Sequence, residues 1–104
     1  MTAGEIYRNL CEFRDNAQRA GMSPNEMKKC GVSIVEIPAR VTGDGASSNK
    51  YIGEDSGYVI EDYWYSDHCK TFDTRPDTNH FGVSLYDEAG TVIETKSFCY
   101  DDDR

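Results

Sequence analysis

The apolar residues of this chain keep two different periods, and the change between them limits the fold more than any bulk property does. Ile6, Leu10, Phe13 and Ala17 recur at intervals of four, three and four. That spacing lines one face of a helix and leaves Arg8, Glu12, Asp15 and Arg19 on the wet side. Thr2 and Glu5 form a capping box at its start, and Gly21 suits the left-handed residue just past its end. Ser23-Pro24-Asn25-Glu26 repeats the start signature, and Gly31 reads as the stop of a second, shorter helix. From Val32 the period falls to two. Val35, Ile37, Ala39 and Val41 alternate with Glu36, Pro38 and Arg40, as a half-buried strand does. Pro38 cannot donate to a ladder, so this strand belongs at an edge or a bulge.

Tyr58 to Ser66 is rich in β-prone residues. Phe81, Val83 and Leu85 alternate, and Asp87-Glu-Ala-Gly90 suits a type I turn followed by a glycine bulge. That bulge sets Leu85 against Ile93, Val83 against Thr95 and Phe81 against Ser97, which keeps Glu94 and Lys96 off the apolar face. The expected fold is α+β: two N-terminal helices (about 3–20 and 24–30), then a roughly four-stranded antiparallel sheet packed on the first helix. A chain of 104 residues suits a single domain. Gly- and Ser-rich sequence predicts a mobile loop at about 42–57, with room for a short extended piece at Tyr51–Ile52; a second mobile loop, containing Pro76, is expected at about 67–79, and the chain closes on an acidic tail at Asp101–Asp103.

The net charge of −8 is unevenly spread. Residues 1–50 carry seven Lys/Arg against six Asp/Glu, whereas residues 51–104 carry four against thirteen. Phosphate neutralisation needs a basic face, so direct nucleic-acid binding is not expected, and anionic membranes are disfavoured for the same reason. A basic protein or ribonucleoprotein complex is the favoured partner. MTAGEIYRNLCEF shows no basic region followed by an apolar stretch, and no apolar run approaches the ~18 residues of a membrane span. The expected setting is the cytoplasm, with reduced thiols.

Cys11, Cys30, Cys69 and Cys99, with His68 and His80, are the residues from which a metal or nucleophilic site could be built. Zinc sites show paired ligands two to four residues apart, and no C-x-x-C or H-x-x-x-H is present. A Cys69 nucleophile with His80 as base would need an electropositive neighbourhood, and this one is acidic. No catalytic residue, metal ligand or cofactor is therefore assigned. Free, paired and metal-bound cysteines stay open at this level. Met27 to Val35, MKKCGVSIV, has the look of a helix-turn-helix turn, which would send residues from Ser33 into a major groove. Pro38 would then interrupt the recognition helix.

Glu61-Asp-Tyr-Trp-Tyr-Ser-Asp67 sets three aromatics between carboxylates. On a strand, Ile60, Asp62 and Trp64 point one way and Val59, Glu61, Tyr63 and Tyr65 the other. Tyrosine and tryptophan anchor interfaces, and carboxylates around them select a basic partner. The candidate partner-binding residues are Glu54, Asp55, Glu61, Asp62, Tyr63, Tyr65, Asp67 and Asp73. In size, charge and lack of catalytic motifs the chain resembles the small acidic inhibitors made by phages and mobile elements, including DNA mimics and anti-CRISPR proteins. The resemblance implies non-enzymatic, stoichiometric inhibition of a host defence complex in the host-cell cytoplasm. The alternatives are a helix-turn-helix-like DNA-binding regulator and a small zinc- or cysteine-dependent enzyme.

Overall fold

Thr2 opens the first helix as its spacing predicts. Its hydroxyl accepts the Glu5 N–H at 3.2 Å and donates to the Glu5 carboxylate at 3.2 Å. Helix α1 spans Ala3–Arg19 and closes in a Schellman motif, with Met22 N–H on the Ala17 carbonyl and Gly21 N–H on that of Gln18. Gly21 sits at φ 72°, where a side chain would be strained. Ser23 and Glu26 complete a second capping box, each accepting the other's backbone N–H at 3.2 Å. The computed structural model describes residues 1–35, 40–41, 48–55, 57–66, 71–72 and 80–99.

Helix α2 runs Pro24–Val35, past the expected stop at Gly31. Gly31 is buried in the helix interior, and a Cβ placed on it would lie 3.5 Å from the Phe13 ring. The glycine marks where α2 crosses close to α1, not a C-cap. Val35, expected on a strand, is a fully buried helical residue. Met27–Val35 is therefore one continuous helix, with no turn at Gly31 of the helix-turn-helix kind. Of the strand expected after it, residues 36–39 lie outside the described residues, and Arg40–Val41 form β1.

The remaining strands are β2 (Ser48–Ile52), β3 (Val59–Ser66), β4 (Thr71–Phe72), β5 (His80–Tyr86) and β6 (Val92–Cys99). They form one antiparallel sheet in the order β1-β2-β3-β5-β6, with the short β4 also paired to β3. The expected edge position of β1 is found. The sheet holds more strands than the four expected, because Ser48–Ile52 and Thr71–Phe72 are strands inside stretches that read as loops. Ser48-Asn-Lys-Tyr-Ile52 has little apolar content, but its polar groups are satisfied across the sheet: Ser48 on Glu61, and Tyr51 on Asp62. The rest of the two expected loops (42–47, 56, 67–70 and 73–79), and the acidic tail, lie outside the described residues.

Helix α1 covers one face of β2, β3 and β5, and α2 packs against α1. Ile6, Leu10, Met27, Val35, Tyr51, Ile60, Phe81 and Val83 are fully buried between them. Arg14 falls on the same stripe, four residues after Leu10 and three before Ala17, and is 5% exposed. Its guanidinium pairs with Asp15, which also receives Lys96 of β6 at 3.2 Å.

The β5–β6 turn forms as expected. Asp87 accepts the N–H groups of Ala89 and Thr91, each at 2.9 Å, and Gly90 takes φ 83°. The register beyond it differs. Tyr86 faces Val92, but a second irregularity then passes over Ile93, so Leu85 faces Glu94, Val83 faces Lys96 and Phe81 faces Phe98. Glu94 and Lys96 thus share the helix-side face. The sheet edge tolerates them because α1 lies over β2, β3 and β5, and because Lys96 meets Asp15 there.

Candidate partner-binding face

The alternation of β3 divides the Glu61–Tyr65 segment between the two sides of the sheet. Ile60 points into the helix-covered core, fully buried, and fixes the parity. Asp62 shares that parity and is also fully buried. Its carboxylate accepts the Tyr51 hydroxyl at 2.6 Å and the Asn49 N–H at 3.1 Å. Burial pushes the carboxyl up to about 7, against the pull of those two donors, and pushes the Tyr51 phenol up as well. Asp62 is accordingly a core residue and not part of a partner-binding surface. The sequence parity pointed to this side; the tyrosine that receives the carboxyl lies on a strand that read as loop.

Glu54 and Asp55 lie in the β2–β3 connection and are committed to the start of α1. Asp55 accepts the Ala3 N–H at 2.8 Å, which satisfies a first-turn donor and sets a negative charge at the helix N-terminus. Glu54 pairs with the terminal ammonium of Met1, and its own N–H donates to the Met1 carbonyl at 2.8 Å. Gly53 makes this approach possible, since a Cβ there would run into the backbone at Thr2 and Ala3. Both carboxylates are exposed, yet each already has a partner within the chain.

The opposite face of the sheet, away from the helices, carries Glu61 and Tyr63. Glu61 is half-buried and accepts the Ser48 hydroxyl at 3.0 Å and the Tyr86 hydroxyl at 3.4 Å. These donors hold the carboxylate in one place. Burial raises the Tyr86 phenol, and the neighbouring Glu61 charge adds to the effect. Tyr63 lies directly over Gly82 of β5, its cross-strand partner; a Cβ at 82 would collide with the phenol ring. Gly82 is the residue that sequence reading missed here. A glycine inside an alternating strand signals close approach by another group, and this one makes room for the tyrosine. Tyr65 follows on β3, opposite His80 in register. Asp67 and Asp73 lie outside the described residues.

Toward the β5–β6 turn, this face opens into a groove of about 410 Å³ lined by Lys50, Val59, Glu61, Tyr86, Asp87, Glu88 and Gly90. Three carboxylates against one ammonium give it a negative balance. Of the sequence candidates, the structure brings Glu61 and Tyr63 together on the helix-free side and separates them from Asp62, Glu54 and Asp55.

Cys11 is buried and Cys30 exposed, and both are free thiols. Burial raises the Cys11 thiol above its usual value, against the Tyr7 hydrogen bond. Among the described residues no three His, Cys, Asp or Glu side chains converge as metal ligands, and no helix is long and apolar enough to cross a membrane. His68 and Cys69 lie outside the described residues. No family model, curated protein or solved structure matches the chain.

Proposed function

We propose that this chain is a non-enzymatic acidic binding protein that inhibits a basic, nucleic-acid-handling complex, such as a CRISPR effector, by occupying its nucleic-acid or subunit-binding surface. The observation that carries this reading is the helix-free face of the sheet. There Glu61 is held by two hydroxyls and sits on the same strand face as Tyr63, beside a groove edged by Asp87 and Glu88. A carboxylate fixed in place loses little freedom on meeting a guanidinium or ammonium, and the adjacent phenol rings offer stacking surface to the same cation. The charge distribution supports the same partner class, because the half of the chain that forms β3, β5 and β6 carries all of the negative excess.

The test is inhibition of target-DNA binding by a guide-loaded effector, read with labelled DNA and increasing amounts of this protein. Wild type should suppress DNA binding at near-stoichiometric ratios. Glu61→Lys and Tyr63→Ala should each weaken inhibition at least tenfold while keeping the wild-type circular dichroism spectrum. Folded variants that inhibit as well as wild type would rule out this face as the binding surface.

A further inference from the structure

Strand β6 ends the sheet, and among the described residues nothing pairs with its outer side. Every residue from Thr91 to Ser97 is exposed, including Val92 at 50% and Ile93 at 48%. A long open edge carrying aliphatic side chains is a template for another strand. Within an otherwise acidic half-chain, Thr91–Ser97 is electrically balanced, with Glu94 and Lys96 as its only charges.

We propose that β6 pairs antiparallel with β6 of a second copy of this chain, with the two-fold axis passing through Thr95. Two identical antiparallel strands match their backbone groups only when the axis falls on a residue, because facing residues must both point outward or both inward. Charge then selects among the possible centres. An axis on Glu94 or on Lys96 sets that residue against its own copy, which is unfavourable. An axis on Ile93 or on Ser97 leaves Glu94 and Lys96 unmatched. An axis on Thr95 puts Glu94 of each copy opposite Lys96 of the other, twice, and sets two β-branched threonines side by side. It also lies near the middle of Val92–Cys99, and regular pairing then spans Glu94 to Lys96 of both copies, up to the irregularity at Ile93.

The arrangement is isologous and closed, as most soluble dimers are. Facing residues share a sheet face, so the axis stands perpendicular to the sheet. Both copies then keep their helices on one side and present Glu61 and Tyr63 together on the other. The pairing does not depend on what that face binds.

Sedimentation equilibrium on the full chain over a concentration series tests the proposal. Wild type should show a monomer–dimer equilibrium. Glu94→Lys and Lys96→Glu should each be monomeric, because each sets like charges across the axis. An equimolar mixture of the two variants should dimerise, since every facing pair is then opposite in sign, and the double swap within one chain should restore self-association. Lys96→Glu, alone or in the double swap, also turns a carboxylate toward Asp15; if it misfolds, Glu94→Lys set against wild type still decides the question. A wild type that stays monomeric up to its solubility limit would overturn the proposal. So would a dimer that survives Glu94→Lys, or a mixture no more associated than its components.

Discussion

Replacing Asp62 by asparagine should flatten the dependence of stability on pH. In the folded chain this carboxyl is fully buried between α1 and the sheet and titrates near 7. In the unfolded chain it titrates near the usual 3.8 for an aspartate. The folded state therefore binds the proton more tightly. Its stabilising effect is complete below about pH 4, declines as pH rises, and is gone above about pH 7. A gap of about three pKa units, at about 1.4 kcal/mol each, amounts to about 4 kcal/mol. That is a large share of the ~5–15 kcal/mol by which domains are stable. The substituted asparagine would keep an oxygen for the Asn49 N–H and an amide for the Tyr51 hydroxyl, but it cannot ionise. Urea unfolding of wild type and Asp62→Asn at intervals from about pH 4 to about pH 8 isolates this group, because other titrations cancel in the difference. Wild type should lose stability relative to the variant by about 4 kcal/mol across that range. A pH-independent difference, or wild type gaining on the variant as pH rises, would refute the placement of a buried carboxyl beside Tyr51.

The glycines give three further tests by the same urea assay. Gly31→Ala should stabilise by about 0.5–1 kcal/mol, since the residue is helical and the new methyl meets Phe13 at an ordinary contact distance; a loss would mean that α1 and α2 cross more tightly. Gly82→Ala should cost about 1–3 kcal/mol by displacing the Tyr63 ring, and combining it with Tyr63→Ala should remove most of that cost in a double-mutant cycle. Gly53→Ala should cost more than Gly82→Ala, because the obstructing atoms belong to the backbone of Thr2 and Ala3 and cannot swing aside. Equal costs at the two positions would argue against a rigid clamp on the start of α1.

What could be read from the sequence was chemistry confined to a few neighbouring residues. Both capping boxes, the Gly21 terminus and the Asp87–Gly90 turn close on themselves within four or five positions, so composition alone specifies them. Gly31 shows the limit. Glycine serves both as a helix terminator and as a close-packing residue inside one, and only the distant Phe13 ring decides which. The same holds for Ser48–Ile52, where a polar strand is stabilised by hydroxyl-to-carboxylate bonds to β3 that no local pattern encodes. The parity of β3 was legible and correctly grouped Asp62 with Ile60. Its burial was not, because a carboxyl enters a core only when a partner such as Tyr51 waits there. The β5–β6 register failed for a related reason. The expectation that charge avoids the helix side assumed cover over β6, whereas α1 stops short of that edge and offers Asp15 to Lys96.

Whether the helix-free face around Glu61 engages a basic surface is decided by the salt dependence of binding to a guide-loaded effector. Fluorescence anisotropy with labelled wild type and labelled Glu61→Lys, from low to physiological ionic strength, gives both affinities on one scale. Wild-type affinity should fall steeply as salt rises, and Glu61→Lys should bind more weakly with a shallower slope. Affinity that is independent of salt, or identical for the two proteins, would contradict this assignment of the face.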